Sequence, residues 1–309
     1  MTPRTIITAL TVTLAAAFLA ACGSGDGDAP SSSVARPTVV ATTTQVADLA
    51  RQVAGDRAEV RQILPANADP HDYEPRPSDV KAVSGAAVVL RSGGDLDEWL
   101  DDVLQNAGID TKAVTLIDTV RTREGETDPH WWQDPLNAIA AAGEIRDALI
   151  SADPDGREAY TSSADAYLVE LRTLDQAIKT CIDTIPASER KLVTDHDALG
   201  YYADRYEIEI IGTVIPALST QAQASAADTA RLVRTIRAAG VTTIFPESAA
   251  NPRLARAIAR DAGATVGPAL YADSLGAEGT AGETYIASLQ ANTRALVTGF
   301  SAGRQTCRF

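Results

Sequence analysis

The 309-residue chain is short of several residue types, and each shortage narrows what it can do. It has three histidines, three cysteines, and 27 Lys and Arg residues against 41 Asp and Glu residues. A formal charge of −14 would repel a phosphate backbone, which argues against nucleic-acid binding. The cysteines do not have zinc-finger spacing. With 45% apolar and 22% charged residues, the chain otherwise has the composition of an ordinary globular protein.

The N-terminus has the pattern of a processing signal rather than part of the fold. Arg4 precedes an uncharged stretch at 6–19 that is too short and too Thr-interrupted for a good membrane span. Residues 19–22 read LAAC, which resembles the bacterial lipobox, and a flexible tether rich in Gly, Ser and Asp follows at 23–37. We therefore expect a signal peptide at 1–22 and lipidation of Cys22. The mature protein would be anchored to the outer face of the cell membrane, with a plain secretory signal as the alternative.

The two remaining cysteines are Cys181 and Cys307. Thiols outside the cytoplasm tend to pair, so we expect a disulfide that ties the C-terminal tail to the middle of the chain. Two free buried thiols are the alternative, because the sequence does not show whether these residues come within bonding distance.

Short β-branched runs alternate with amphipathic runs in the first half of the chain. They predict strands at 38–43, 58–64, 86–91 and 113–117, and helices at 45–55, 78–84, 96–107 and 135–150. Ser78 is expected to cap the second helix. Residues 154–185 have helical spacing with no Gly or Pro after Gly156, which predicts one helix of about 45 Å ended by Pro186.

The same alternation resumes after the long helix. It predicts strands at 191–194, 207–214, 241–245 and 264–270, and helices at 197–205, 225–239, 251–262 and 282–300. The pattern indicates an α/β fold of two (β/α)4 lobes with mainly parallel sheets, joined by one long helix. The predicted boundaries are 38–153, 154–186 and 187–309, and the strand order is left open.

The three histidines have similar surroundings. His71, His130 and His196 each follow a strand-like run and have an aspartate within two residues. Ligands of parallel sheets lie beyond the carboxyl ends of the strands, and metal-bound imidazoles commonly donate their other N–H to a carboxylate. We expect the three to converge on one metal ion between the lobes. Glu247 and Asp273 are the candidates for a fourth ligand from the second lobe, and Asp273 is favoured.

Three segments resemble one known family: residues 70–79 (PHDYEPRPSD), 128–135 (DPHWWQDP) and 266–296 (VGPALYADSLGAEGTAGETYIASLQANTRAL). They are similar to the zinc- and manganese-binding lipoproteins of bacterial metal ABC importers, over nearly the whole mature chain. The resemblance implies two lobes joined by a rigid helix, with a buried metal held by side chains that match His71, His130, His196 and Asp273.

Further roles accompany this resemblance. Glu247 and Asp134 would support the ligands from behind, while Trp131 and Trp132 are interpreted as packing residues that wall the site. Three imidazoles and one carboxylate suit four-coordinate Zn²⁺, whereas Mn²⁺ prefers more oxygen donors. Manganese-selective members commonly have a carboxylate at the position of His196, so zinc is favoured and manganese is the alternative. Many zinc members have a His-rich loop that the segment 121–127 (RTREGET) lacks.

The predicted function is an extracytoplasmic solute-binding lipoprotein, monomeric and not an enzyme, that delivers Zn²⁺ to the permease of a metal ABC importer. A stiff connecting helix predicts a small tilt or a loop movement on release, which separates His196 and Asp273 from His71 and His130. One alternative is a zinc hydrolase with Glu247 as general base. The others are a binding protein for a siderophore or other organic ligand, and a surface adhesin.

Overall fold

The first half of the chain builds one parallel sheet. The computed structural model describes residues 36–108, 113–123 and 128–309. The sheet consists of β1 (Thr38–Ala41), β2 (Glu59–Gln62), β3 (Val88–Arg91) and β4 (Val114–Thr115). Their order is β2-β1-β3-β4, and all three pairings are parallel.

Helices cover both faces of this sheet. They are α1 (Thr44–Ala54), α2 (Pro77–Ser84), α3 (Trp99–Ala107) and α4 (Pro135–Ala152). Val39 and Ala41 of β1 pack in one apolar cluster with residues of α1 and α4, whereas Val40 packs in a second cluster with α2 and α3. This alternation follows from the two-residue period of a strand and explains why β1 is apolar on both faces.

The start of α2 differs from the prediction. Pro77 occupies the first helical position, and the Asp79 side chain accepts a hydrogen bond from Arg76 N at 2.7 Å. The Ser78 hydroxyl instead contacts Asp79 at 3.3 Å. The prediction that Ser78 caps this helix is therefore wrong, because proline with its fixed φ begins the helix one residue earlier.

The long helix α5 (Arg157–Ile182) contains 26 residues and spans about 39 Å. Residues 154–156 form a separate 3₁₀ turn before it. One stripe of its side chains is buried, at three- and four-residue spacing: Tyr160, Ala164, Tyr167, Leu171, Leu174, Ile178 and Ile182. This stripe packs against α1 and α4 of the first half and against α9 (Tyr285–Phe300) of the second half.

The second half contains β5 (Lys191–Thr194), β6 (Glu209–Thr213), β7 (Thr243–Ile244) and β8 (Thr265–Val266). The pairs β5-β6 and β7-β8 are parallel, and Phe245 N donates to Val193 O at 2.9 Å between them. The remaining helices are α6 (Gly200–Tyr206), α7 (Ala226–Ala239) and α8 (Arg253–Ala262). β8 is shorter than predicted because Pro268 interrupts its continuation, and β7 begins at Thr243 rather than at residue 241.

This architecture confirms the predicted α/β class, with parallel sheets on either side of one long helix. The lobe boundaries at 153/154 and 186/187 stay predictions. Cys181 near the end of α5 and Cys307 in the C-terminal tail form a disulfide, with Cα atoms 5.8 Å apart. Within the described ranges, no helix combines the length and apolarity needed to cross a bilayer.

Several predictions fall on residues that the structure does not describe. They are the signal peptide at 1–22, the lipidation of Cys22, the tether up to residue 35, and residues 124–127 of the segment before His130.

Candidate metal centre

His71 lies in the loop between β2 and α2. Residues Pro70–Asp72 form a single 3₁₀ turn, and the Asp69 side chain caps it by accepting a hydrogen bond from His71 N at 2.9 Å. Pro70 restrains the backbone of this turn. The His71 side chain is 4% exposed, and its Nε2 points at Asp273.

His130 lies in the loop between β4 and α4 and is completely buried. One oxygen of Asp128 accepts from His130 N at 3.0 Å and lies 2.7 Å from Nδ1. A carboxylate at Nδ1 keeps the proton there and leaves Nε2 free to bind a metal. Behind the loop, Gly94 has φ +71°, and a Cβ at Gly94 would lie 2.9 Å from Cβ of Pro129. Pro129 therefore rests directly on the Gly94 backbone.

His196 follows β5 and faces His130 across the site. Its carbonyl oxygen accepts from the Thr194 hydroxyl at 2.9 Å, and its Nδ1 lies 3.1 Å from Oε2 of Glu247. Glu247 follows β7, and its other oxygen accepts from Asp273 N at 3.1 Å. Glu247 thus contacts two of the predicted ligands at once.

Asp273 follows β8 and contacts all three histidines. Its Oδ1 lies 3.3 Å from Nε2 of His130, and its Oδ2 lies 3.1 Å from Nε2 of His196 and 3.4 Å from Nε2 of His71. Candidate ligand atoms of the four residues all lie within 4.8 Å of one another. The three Nε2 atoms and both Asp273 oxygens are buried and lack a hydrogen-bond partner among the residues described. Buried polar atoms are normally satisfied, and the chemistry of this donor set fits a metal cation at its centre.

The segment that carries Asp273 is also bonded to the first half of the chain. The carbonyl oxygen of Ala272 accepts from Trp132 Nε1 at 2.9 Å and from Gln133 Nε2 at 2.8 Å. Leu275 N donates to the Thr44 hydroxyl at 2.9 Å. Asp273 is therefore fixed relative to the His130 loop as well as to Glu247.

Burial and charge act in opposite directions on the titration of the site. Burial would lower the pKa of His130, but the carboxylates of Asp273 and Asp128 raise it to about 9. Burial likewise opposes the effect of Asp273 and Glu247 on His196, whose pKa is raised to about 11. Burial and the charge of Asp273 raise the pKa of Glu247 to about 7. Burial would raise the pKa of Asp273, but the two imidazoles hold it well below its usual value. The surrounding carboxylates therefore favour the protonated imidazole at both His130 and His196.

Other predicted residues take different places. Asp134 does not contact the four converging residues: it caps α4 by accepting from Leu136 N at 2.9 Å, and it lies 3.7 Å from Arg205. The prediction that Asp134 supports a metal ligand is therefore wrong, because its carboxylate caps α4, the helix that begins at Pro135.

The two tryptophans are buried, as interpreted from the sequence. The Trp132 ring lies 5.5 Å from the His130 ring, and Trp131 Nε1 donates to the carbonyl oxygen of Ser92 at 3.2 Å. Sequence reasoning did not single out Thr44 or Gln133. Thr44 had a usable signal, since it follows β1 at the strand end where site residues gather. Gln133 had none.

A parallel α/β fold on both sides of one long helix, with buried donors converging between them, defines a class: two-lobed solute-binding proteins. The family described as zinc-uptake complex component A, periplasmic, matches residues 39–299, and the chain belongs to it. The chain is 32% identical over 287 residues to the manganese-binding lipoprotein MntA of Halalkalibacterium halodurans, covering 92% of this chain and 95% of that protein.

Two further comparisons agree. The chain is 30% identical over 277 residues to the metal ABC transporter substrate-binding lipoprotein SloC of Streptococcus mutans, covering 85% of this chain and 90% of that one. The solved structure of the periplasmic zinc binding protein TroA from Treponema pallidum has a TM-score of 0.79 at 26% identity, covering 86% of this chain and 99% of that chain. The resemblance seen in the sequence is confirmed. The chain is a substrate-binding component of a metal ABC transporter and not an enzyme, which removes the hydrolase alternative.

Proposed function

We propose that the chain captures Zn²⁺ between His71, His130, His196 and Asp273 and delivers it to the permease of a metal ABC importer. The observation that carries this proposal is the set of buried, unpartnered Nε2 and carboxylate atoms facing one point within the described residues. An organic ligand such as a siderophore would not require three imidazoles to converge on one carboxylate.

The donor set favours zinc over manganese. Three imidazole nitrogens and one carboxylate are a typical ligand set of four-coordinate Zn²⁺. Manganese prefers more oxygen donors. Glu247 is a further buried carboxylate, but one of its oxygens accepts from Asp273 N at 3.1 Å and the other lies 3.1 Å from His196 Nδ1, on the opposite side of that ring from Nε2. Manganese stays the alternative, since the MntA relative is named for it.

The same proposal includes a lipid anchor on Cys22 and a monomer at the outer face of the membrane. The relatives MntA and SloC are named lipoproteins, which supports the interpretation of residues 19–22. Replacing Cys22 by Ser should move the protein from the membrane fraction to the soluble fraction. A variant that stays in the membrane fraction would contradict the anchor.

A competition titration tests the metal site. The protein is produced from Gly23 onward, stripped of metal, and titrated with Zn²⁺ and Mn²⁺ against a chelating dye. The wild type should bind one equivalent of Zn²⁺ more tightly than Mn²⁺. Asp273→Ala removes the group that all three histidines face, and zinc affinity should fall by more than about 100-fold, the upper limit for loss of a supporting partner.

Asp134→Ala is the matched control, because this carboxylate caps α4 outside the cluster. It should weaken the fold slightly and leave zinc affinity unchanged. Tighter binding of Mn²⁺ than Zn²⁺ by the wild type would overturn the zinc assignment, and Asp273→Ala with wild-type affinity would overturn the site.

A further inference from the structure

The three histidines are not held in the same way. Nδ1 of His130 lies 2.7 Å from Asp128, and Nδ1 of His196 lies 3.1 Å from Glu247. For His71, no hydrogen bond to Nδ1 is found within residues 36–108, 113–123 and 128–309. A carboxylate behind the ring fixes the orientation of a metal-binding imidazole. His71 is thus the histidine whose ring is least constrained, and its side chain is 4% exposed, compared with 0% for His130 and 1% for His196.

Asp273 cannot easily separate from His130. Trp132 and Gln133, which follow His130 in the chain, both donate to the carbonyl oxygen of Ala272. All these groups are buried, and a buried donor that loses its acceptor costs about 1–3 kcal/mol. The sequence-based expectation that release separates Asp273 from His130 is therefore not supported by these contacts.

His71 is held through its backbone, and two of the residues that hold it come from the second half of the chain. Asp69 accepts from His71 N at 2.9 Å with Oδ1, and its Oδ2 accepts from the Thr220 hydroxyl at 2.6 Å. The Gln221 side-chain amide donates to the carbonyl oxygen of His71. Thr220 and Gln221 lie in the loop between β6 and α7, so both links cross from the second half to the first. The Thr220 link is partly buried and the Gln221 link is exposed.

We propose that Thr220 and Gln221 form a latch that positions His71 on the metal, and that opening of this latch sets the rate of metal release. This inference rests on the proposed function. When the two hydrogen bonds break, the turn at Pro70–Asp72 moves away with His71, pivoting near Asn67, whose N–H still donates to Leu275 O at 3.0 Å, while His130, His196 and Asp273 stay in place. The metal then loses one ligand on the side where the ligands are least buried. The residues of the latch act through His71 and do not themselves contact the metal.

Stopped-flow release of Zn²⁺ into excess chelator measures the effect directly, on zinc-loaded protein produced from Gly23 onward. Thr220→Val keeps the shape of the side chain and removes the hydroxyl. Loss of a hydrogen bond to a charged group should raise the dissociation rate about tenfold, with an association rate changed less than about twofold. Gln221→Ala should raise the dissociation rate in the same direction.

Two variants serve as matched controls. Thr220→Ser retains the hydroxyl and should release zinc at the wild-type rate. Gln223→Ala removes an exposed glutamine from the same loop for which no side-chain hydrogen bond is found in the described structure. It too should match the wild type. If zinc dissociates from Thr220→Val and Gln221→Ala at the wild-type rate, the latch is overturned and the proposed function still stands. Equal acceleration by Thr220→Val and Thr220→Ser would also overturn it. A wild type that holds no zinc would overturn the proposed function itself.

Discussion

Glu247 links two of the four predicted ligands, and Glu247→Gln isolates that link. One carboxylate oxygen lies 3.1 Å from His196 Nδ1, and the other accepts from Asp273 N at 3.1 Å. Glutamine keeps the shape of the side chain and one acceptor oxygen. Its NH₂ group must then face one of the two N–H donors, so either His196 or Asp273 loses its acceptor. The change perturbs the ligands without opening a cavity.

The size of the effect follows from the position of Glu247. Loss of a partner behind a metal ligand lowers affinity about 10- to 100-fold, or about 1.4–2.8 kcal/mol. Because Glu247 is 4% exposed and contacts two predicted ligands, we expect the upper part of this range, about 30- to 100-fold.

The stability of the metal-free protein should change in the opposite direction. Burial and the Asp273 charge raise the pKa of Glu247 from 4.5 to about 7 in the folded protein. At pH 8 the Glu247 carboxylate is ionised in both the folded and the unfolded metal-free protein, and its charge is less favourable in the folded protein. Glutamine removes this penalty, so the metal-free variant should melt at least as high as the wild type at pH 8. The gain should disappear below about pH 4.5, where glutamate is protonated in both states.

Chelator competition gives the zinc affinity, and circular dichroism melts of metal-free protein at pH 8 and pH 4 give the stability. Glu278→Gln is the control, since Glu278 is exposed on the same segment as Asp273. A zinc affinity within threefold of the wild type would refute the reasoning. So would a metal-free melting temperature at pH 8 that falls together with the affinity, because that result indicates damaged packing.

Two further predictions concern the protons of the site and the loop beneath His130. Zinc binding at pH 7.5 should release protons. The pKa values of about 9 for His130 and about 11 for His196 mean that both imidazoles are protonated at this pH before zinc binds, whereas only neutral imidazole binds metal. Calorimetry in buffers of different ionisation enthalpy measures the release, and a binding heat independent of buffer would contradict it. Gly94→Ala should lower the free energy of unfolding by about 1–3 kcal/mol and weaken zinc binding, because its φ is +71° and its Cβ would meet Pro129 at 2.9 Å. Gly108 has φ +68°, and no described atom lies within 4 Å of the position of its Cβ, so Gly108→Ala should cost only about 1 kcal/mol. Equal losses for the two variants in urea denaturation would argue against the contact of Gly94 with Pro129.

The convergence of the site was predictable because it follows from topology. His71 follows β2, His130 follows β4, His196 follows β5 and Asp273 follows β8. Carboxyl ends of parallel strands gather at one edge of a sheet, so the strand pattern predicted that the three histidines would converge. For the fourth ligand it left two candidates, Glu247 and Asp273, and the family resemblance matched Asp273. The role of the three histidines and Asp273 as ligands stays a prediction that the geometry supports.

The residues that hold the site in shape were not predictable in the same way. Gln133 bonds to Ala272 across 139 residues, and Thr220 bonds to Asp69 across 151. Periodicity describes local structure and does not specify such distant side-chain partners. The choice between Asp128 and Asp134 is different. Asp134 immediately precedes Pro135, a helix-start signature that could have assigned it to α4 and left Asp128 for His130.

Energetics favours a loop movement over a wide opening of the two halves during release. The buried stripe of α5 packs against α1 and α4 on one side and α9 on the other, so a large rotation would expose part of it. Exposing only two such side chains, Leu171 and Leu174 for example, would cost about 3–6 kcal/mol. Opening the latch breaks one partly buried hydrogen bond to a charged group, worth about 1.5–3 kcal/mol, and one exposed neutral hydrogen bond, worth about 0.5–1.5 kcal/mol. The latch is therefore the weaker connection. A permease that competes for the loop of Thr220 and Gln221 could start release without moving the connecting helix.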